Sequence, residues 1–354
     1  MRIGIYTQPL FNNYGGILQN WALQQVLMSL GHDPITIDHS SKYSWLKYFA
    51  DYSLAIAKRT LGKRCSSPMR PHNGRFGSGL LAPFIHQHIN KTRPVNRPGI
   101  DLLTEYHIDC LVVGSDQIWR PLFNKHLGDS FLAFAKEFDC TKIAYAASFG
   151  KDEWEFDEKQ SDICTELVKQ FDAISVREES GISLCKQHLG VDAEFVLDPT
   201  LLLSKEEYSQ IIGHTQNNGK FIACYCLDMS QETQSEINNI AKTINLPVRY
   251  FAANDKVSLT IGQWLAMFRD ASAVITDSFH GTIFSIINQT PFYTLANEVR
   301  GASRFHSLLG NLGLLERIVK DSGHLPPPTI DWEIVQKRIN QEKQKSISFI
   351  QKHL

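Results

Sequence analysis

Short apolar runs alternate with helical stretches along almost the whole chain, and this alternation limits the fold more than any other feature. The run Arg2–Thr7 has the composition of a strand, and a polar, glycine-containing turn follows it at Asn12–Gly16. From Ile17 to Leu30 the apolar residues recur at helical spacing, and Pro34–Ile37 has the pattern of the next strand. A strand–helix–strand unit this short predicts parallel strands with helices packed on the faces of the sheet.

The same unit recurs in two series that divide the chain. The strands predicted in the first series are Cys110–Val113, Lys142–Ala147, Ala173–Val176 and Phe195–Leu197, and those in the second are Phe221–Leu227, Val248–Phe251, Ala273–Thr276 and Phe292–Leu295. The helices predicted between them are Glu158–Gln170, Gly181–His188, Glu232–Ile244, Ile261–Phe268 and Gly281–Ile287. We therefore expect an α/β protein with two Rossmann-like domains, residues 1–200 and 201–325, facing a cleft. A C-terminal helix within 326–354 is expected to cross back onto the first domain.

The composition argues against several classes of protein. The chain has 354 residues, 43% of them hydrophobic, and a formal net charge of -1, so nothing indicates a nucleic-acid partner. No apolar run reaches the ~18 residues of a transmembrane helix, and the start MRIGIYTQPL lacks the apolar core of a signal peptide. The seven cysteines are odd in number and include no CxxC pair. We therefore expect no disulfide framework and no zinc site, and a cytoplasmic location.

One segment departs from this average. Residues 42–75 contain eight Lys or Arg and one Asp, a local net charge of +7, with Trp45, Tyr48, Phe49 and Tyr52 interleaved. Such a stretch can contact an anionic membrane face at the periphery. An amphipathic surface helix followed by a disordered basic loop would have the same composition, so both interpretations remain open.

Polar residues follow two of the predicted strands of the first series. At Asn12–Gly16, with Gln19 on the helix that follows, paired glycines let backbone N–H groups approach an anion near a helix N-terminus. At Gly114–Trp119, Asp116 stands beside amide and indole groups, which suits sugar hydroxyls or a general base. The alternatives are a tight connection at the first string and a helix N-cap at the second.

Two further strings follow strands in the middle and the second half of the chain. Arg177 leaves an apolar strand, where its guanidinium can bind a carboxylate or phosphate or can form a salt bridge to Glu178 or Glu179. His280 stands at the start of a predicted helix, where the helix dipole and the neighbouring N–H groups favour an anion. In open α/β sheets ligands bind beyond the carboxyl ends of strands, so we expect these strings to share one cleft.

Taken in order, the strings NYGGILQNWALQ, VVGSDQIW, AYAASFG, ISVREESG, VLDPTLLL and ITDSFHGTIFSIINQTPF resemble the polysaccharide pyruvyl transferase family, from the first strand to about Arg304. The resemblance implies a glycosyltransferase-B-like pair of Rossmann domains. It also implies phosphoenolpyruvate as the donor, with no other cofactor and no metal, and a sugar diol as the acceptor. The product would be a pyruvate ketal on a capsule, exopolysaccharide or cell-wall glycan, and the acceptor a polysaccharide or its lipid-linked precursor at the cytoplasmic membrane face.

The resemblance also implies roles for individual residues, with the acceptor on the first domain and the donor on the second. His280 is expected to act as an acid or phosphate ligand and Asp116 as a base. The donor-binding residues would be Arg177, Ser278, Gly281, Thr282 and Arg304. The acceptor-binding residues would be Asn13, Tyr14, Gly15, Gly16, Gln19, Gln117 and Trp119.

The chain departs from the family at the donor motif. Family members carry Arg-Leu-His-Gly, whereas this chain has Ser278-Phe279-His280-Gly281, which removes one cation. Arg304 is a candidate to replace that charge. Two other functions remain open on these grounds: a nucleotide-sugar-dependent glycosyltransferase of the same fold, and a non-catalytic glycan-binding protein.

Overall fold

The computed structural model describes residues 1–39, 52–54, 79–124, 126–251, 259–296, 301–319 and 325–354. Apart from residues 52–54, the basic segment 42–75 and the membrane contact predicted for it lie outside the described residues. The described strands form two parallel sheets, one of six strands and one of four.

The first sheet has the strand order β2-β1-β3-β4-β5-β6, and all its pairings are parallel. Its strands are β1 (Arg2–Tyr6), β2 (Asp33–Thr36), β3 (Cys110–Asp116), β4 (Thr141–Ala147), β5 (Ala173–Val176) and β6 (Glu194–Phe195). The chain runs from β1 to β2 on one side and returns with β3 on the other, so the order reverses between β1 and β3. A crevice opens at such a switch point, beyond the carboxyl ends of the two strands.

The second sheet has the order β10-β9-β7-β8 and is also parallel. Its strands are β7 (Ile222–Tyr225), β8 (Val248–Tyr250), β9 (Ala273–Thr276) and β10 (Phe292–Thr294). Here the order reverses between β7 and β9, which gives this sheet a switch point of its own.

Helices cover the faces of both sheets. Their bounds are Tyr14–Ser29, Ala82–His88, Ile100–Glu105, Glu158–Val168, Glu179–Leu184, Lys205–Ile212, Gln231–Ile244, Ile261–Asp270, Phe279–Ile287, Ser303–Leu312 and Trp332–His353. Three of them begin with a capping box, in which a side chain at the N-cap and one three residues later bond each other's backbone: Asp157 with Gln160, Ser204 with Glu207, and Thr260 with Gln263. No described helix combines the length and the apolar character needed to cross a bilayer.

The predicted α/β architecture, with two Rossmann-like units around a cleft, is confirmed, and the differences are local. The first helix begins at Tyr14 rather than Ile17, because the N–H of Ile17 already bonds the carbonyl of Asn13 at 3.0 Å. Gly15 and Gly16 therefore lie in the first helical turn and not in a loop. The strand β6 ends at Phe195, because the N–H of Leu197 bonds the Ser346 side chain at 2.9 Å instead of a neighbouring strand.

One apolar cluster runs through both halves of the protein. The helix Tyr14–Ser29 is buried on nearly all sides, since it lies between the first sheet and the second half of the chain. The Tyr14 ring stacks on Trp264 at 5.1 Å between centroids, and Trp21 lies 5.6 Å from Tyr208. The two sheets are thus joined by a common core.

The C-terminal helix Trp332–His353 packs back onto the first sheet. Besides the bond from Leu197 to Ser346, the ring of Phe349 lies 6.3 Å from that of Tyr145. The predicted division at residues 200/201 falls between β6 and β7. Because the core is shared, the exact domain limits 1–200, 201–325 and 326–354 stay a prediction.

Candidate active site

The two switch points face each other across a cavity of about 390 Å³. The first half contributes residues that follow β1 and β3, such as Gln8 and Asp116. The second half contributes residues that follow β7 and β9, such as Leu227 and His280, together with Arg304 from the helix Ser303–Leu312. The cavity therefore lies where the topology alone would place a ligand.

His280 belongs to the first turn of the helix Phe279–Ile287, directly after β9. Ser278 caps this helix: its hydroxyl accepts the N–H of Gly281 at 3.3 Å. The His280 ring lines the cavity, and its Nε2 lies 3.6 Å from Asp198 Oδ2, too far for a hydrogen bond. The Nδ1 side of the ring packs on Gly15 so closely that a Cβ built there would lie 2.1 Å from Nδ1.

Arg177 is buried between two carboxylates. Its Nη1 donates to Asp198 Oδ2 at 2.7 Å and its Nη2 to Asp116 Oδ1 at 3.1 Å. Burial alone would lower the pKa of the guanidinium, but the two carboxylates outweigh burial and raise it. Arg177 is therefore a permanent cation whose outer nitrogens are both occupied.

The two carboxylates are held in the ionised form. For Asp116, burial would raise the pKa, but Arg177 and the His280 ring together hold it below its ordinary value. For Asp198, burial is likewise outweighed by His280 and Arg177, and the pKa falls far below its usual range. Asp198 also accepts the N–H and the hydroxyl of Thr200 at 3.0 and 2.6 Å. Its carboxylate thus links Arg177 to the His280 ring.

Arg304 and Arg177 share the ring of Phe279. The guanidinium carbon of Arg177 lies 4.7 Å from the ring centroid and that of Arg304 lies 5.3 Å from it. Burial and the positive charge of Arg177 lower the pKa of Arg304 to about 9. At neutral pH the guanidinium still carries its charge, so it can serve an anion in the cavity.

Glu178 is a third buried acid beside these arginines. Its Oε1 accepts the N–H groups of Phe149 at 2.7 Å and Gly150 at 3.3 Å. Burial raises its pKa, and Arg177 and Arg304 offset only part of that effect. Glu178 therefore gives up its proton less readily than an ordinary glutamate.

Besides Arg177, which does not line the cavity, the predicted donor residues divide into two groups. Ser278 and Arg304 line the cavity. Gly281 and Thr282 are not among the lining residues, because their N–H groups bond the Ser278 hydroxyl and the Ser278 carbonyl, the latter at 2.9 Å. In this structure the first turn of the helix uses both amides, and their contact with a donor stays a prediction.

Three of the predicted acceptor residues are buried in the scaffold. The Tyr14 hydroxyl donates to the carbonyl of Leu259 at 2.7 Å and so joins the two halves of the chain. Gln19 donates to Thr7 at 3.0 Å inside the first half. Trp119 has no exposed surface, and its indole N–H bonds a backbone carbonyl. None of the three lines the cavity, and their contact with an acceptor stays a prediction.

Two of the other acceptor candidates lie at the opening, and two lie buried beside them. Asn13 is exposed, and its Nδ2 donates to Asp116 Oδ2 at 3.2 Å. Asn13 and Gln117 both line the cavity. Gly15 and Gly16 lie beside them in the first turn of the helix, where Gly15 faces the His280 ring.

The sequence patterns assigned no role to several residues of the site. Asp198 could have been found, because it stands in the string VLDPTLLL, three residues after the end of β6. Phe279 stands in the donor motif itself. Asp277 stands directly before that motif in the same string, and the remaining lining residues gave no motif signal: Gln8, Pro9, Arg120, Phe123 and Leu227. Among the described residues, no three His, Cys, Asp or Glu side chains are grouped so that they could hold a metal ion.

The chain is similar to known proteins in sequence and in fold. The sequence model of the polysaccharide pyruvyl transferase family matches residues 13–299. No curated protein matches the chain. Among solved structures, UDP-GlcNAc 2-epimerase from Methanocaldococcus jannaschii is 12% identical with a TM-score of 0.45, covering 96% of this chain and 99% of that one.

Two other solved structures are similar to the same degree. UDP-N-acetylglucosamine 2-epimerase from Rickettsia bellii is 10% identical with a TM-score of 0.45, over 99% of this chain and 98% of that one. A spinosyn rhamnosyltransferase complexed with thymidine diphosphate is 10% identical with a TM-score of 0.42, over 98% and 92%. These scores are low, and no activity is inferred from them. The family match, in contrast, extends from the loop after β1 to beyond β10, and the protein belongs to the polysaccharide pyruvyl transferase family.

Proposed function

We propose that the protein transfers the pyruvyl group of phosphoenolpyruvate to two hydroxyls of a sugar in a polysaccharide or its lipid-linked precursor, forming a ketal. The observation that carries the proposal is the pairing of His280 with Arg304 in the lining of one cavity. That pairing supplies a proton-transfer group and a buried cation, which an enol phosphate substrate requires.

The reaction needs no further reactant. A proton adds to the methylene carbon of phosphoenolpyruvate, which leaves an oxocarbenium-like centre at the neighbouring carbon. One sugar hydroxyl attacks that carbon and loses its proton. The bond to phosphate breaks, and the second hydroxyl takes the place of phosphate, loses its proton to the departing phosphate and closes the ketal. Phosphoenolpyruvate and a diol thus give a ketal and inorganic phosphate.

His280 is the group we assign to the proton transfer. Its Nε2 has no hydrogen-bond partner, and the ring is fixed from behind by Gly15 and faced by the ionised Asp198 at 3.6 Å. A general acid has to be held close to its target with a nitrogen left for the substrate. The same nitrogen could instead donate to the phosphate group.

Arg304 is the cation we assign to the donor. It is charged at neutral pH and lines the cavity beside Ser278, where the family motif has its arginine. Arg177 is less suited to direct contact, because its side chain is buried and both of its outer nitrogens bond carboxylates. We therefore assign Arg177 an indirect role on the donor side. Its positive charge attracts an anion in the cavity, and its hydrogen bond positions Asp198.

Asp116 remains our candidate for the acceptor hydroxyls. Its Oδ2 is bonded by the exposed Asn13 and lies on the open side of the carboxylate. The lowered pKa makes this group a weak base. It is better suited to accept a hydrogen bond from a hydroxyl, and so to orient the nucleophile, than to carry the proton away.

The direct test is to incubate the protein with phosphoenolpyruvate and a panel of glycosides. We expect release of inorganic phosphate and a product with the mass of the glycoside plus pyruvate minus water. Nucleotide sugars are supplied in parallel with the same acceptors. Sugar transfer without ketal formation would show a glycosyltransferase, and glycan binding without any turnover would show a binding protein. Either result would refute the proposal.

A further inference from the structure

An exposed aromatic ring stands where the cavity opens to solvent. The single helical turn Pro121–Phe123 carries two exposed apolar side chains, Leu122 at 71% and Phe123 at 53% of full exposure. Phe123 also lines the cavity, whereas Leu122 does not. An apolar side chain this exposed beside a polar cavity is typical of a ligand contact.

The turn that carries this ring is held firmly. The Asn124 side-chain amide donates to the carbonyls of Gln117, Ile118 and Arg120 at 3.3, 2.8 and 3.0 Å. Gln8 donates to Asn124 Oδ1 at 2.9 Å. The exposure of Phe123 therefore results from a bonded turn and not from a loosely packed one.

The ring itself has a fixed support. The guanidinium carbon of Arg120 lies 5.2 Å from the centroid of the Phe123 ring. Arg120 is buried and is bonded twice by Glu155, at 2.7 and 3.1 Å. The cation fixes the ring beside the cavity while half of the ring surface stays in contact with solvent.

A fixed aromatic surface next to amide side chains suits one class of ligand. Pyranose rings present a face of C–H groups that packs on an aromatic ring, and hydroxyls at their edge that bond amides. Asn13 and Gln117 line the same cavity as Phe123. We propose that Phe123 is the platform on which the sugar ring of the acceptor stacks, with Asn13 and Gln117 binding its hydroxyls. This subsite rests on the proposed function only in that the acceptor is a sugar.

The experiment measures binding of methyl glycosides of galactose, glucose, mannose and N-acetylmannosamine to the full chain by saturation-transfer NMR, without phosphoenolpyruvate. We expect Phe123→Ala to weaken the binding of the preferred glycoside about three- to tenfold, the value of one lost aromatic stack. Phe123→Tyr should retain it. Leu122→Ala is the matched control, because it removes an exposed apolar side chain from the same turn but outside the cavity.

The outcomes separate the subsite from its alternatives. Unchanged binding in Phe123→Ala, an equal loss in Leu122→Ala, or no saturation of any glycoside by the wild-type protein would each overturn the proposal. An equal loss would indicate that the turn contacts another apolar surface, such as a lipid. Phe123→Leu keeps an apolar side chain without a ring and should behave as Phe123→Ala does, which covers the case in which the alanine variant fails to fold.

Kinetics distinguish this proposal from the proposed function. If ketal formation is observed, Phe123→Ala should raise KM for the glycoside and leave KM for phosphoenolpyruvate unchanged. Ketal formation that is insensitive to Phe123 would refute the subsite and leave the function standing. Glycoside binding that depends on Phe123, with no use of phosphoenolpyruvate, would do the opposite.

Discussion

Replacing Gly15 with alanine adds one methyl group that displaces the His280 ring, and so tests whether activity depends on the position of that ring. A Cβ at residue 15 would lie 2.1 Å from His280 Nδ1 and 2.3 Å from Cγ. Ordinary contact begins at 3.4 Å, so Nδ1 would have to retreat by the difference, about 1.3 Å. Gly15 does not have a left-handed φ, so the alanine backbone is unstrained. Alanine favours the helix by about 1 kcal/mol, which offsets part of the roughly 1–3 kcal/mol that an overpacked methyl group costs in a core.

We expect Gly15→Ala to lower kcat/KM about 10²-fold in a protein that still unfolds cooperatively, at a lowered melting temperature. A displacement of about 1 Å at a reacting group costs that much, because the proton-transfer geometry is lost. The assay is phosphate release from phosphoenolpyruvate in the presence of the best glycoside, together with thermal unfolding followed by circular dichroism.

The control for this prediction is Gly310→Ala, on the helix Ser303–Leu312. A Cβ there meets nothing nearer than 3.8 Å, so this variant gains helix propensity without displacing any side chain. The double variant Gly15→Ala, His280→Ala should be no slower than His280→Ala alone, since both changes act through one ring. Full activity in a folded Gly15→Ala protein, or losses that simply add in the double variant, would show that the reasoning is wrong.

The other predictions concern the charged groups of the cavity. His280→Ala should lower kcat by at least about 10²-fold with folding intact, as measured by steady-state kinetics; unchanged turnover would remove the residue from the chemistry. Arg304→Ala should weaken phosphoenolpyruvate binding by roughly 1.5–3 kcal/mol, measured by calorimetry, and an unaltered affinity would leave Ser278 without a compensating cation. Asp198→Asn should lower the free energy of unfolding at pH 7 by about 3–5 kcal/mol, because Arg177 loses a buried partner. The depressed pKa of Asp198 contributes stability that is present above the ordinary aspartate pKa of about 3.9 and lost as pH falls below it. Urea unfolding from pH 7 to pH 3 should therefore show a shallower decline for this variant, and a parallel decline would contradict the assignment.

The sequence was most informative where periodicity and strand ends carry the signal. The strands Ala173–Val176 and Ala273–Thr276 lie where the alternation predicts them. A short apolar run between turn residues rarely forms any element other than a buried strand. Arg177 and Asp116 come together because they lie at the carboxyl ends of β5 and β3, which share one edge of the first sheet. His280 lies at the carboxyl end of β9 in the second sheet, which faces that edge across the cavity.

The sequence does not show the direction in which a side chain points. Trp119 follows Asp116 by three residues, but the bonded turn after β3 directs its ring into the core, so Phe123 and not Trp119 reaches the opening. The amides of Gly281 and Thr282 are used by the cap at Ser278, which depends on the rotamer of one serine. The role of Asp198 depends on residues that are distant along the chain. Its contact with Arg177 spans 21 residues, and its contact with His280 joins the two halves of the protein.

The core shared by the two sheets bears on how the protein can move. In many two-domain enzymes the halves hinge apart to admit a substrate, and catalytic groups from both meet only on closure. Here the Tyr14–Trp264 stack and the hydrogen bond from Tyr14 to Leu259 lie between the halves, so a wide hinge motion would expose apolar surface to water. The distance between Asp198 on one half and His280 on the other is therefore set before any substrate arrives. Entry and release of ligands then depend on side chains and loops at the rim of the cavity. The charged groups inside the cavity are preorganised, because their positions do not change when a ligand binds.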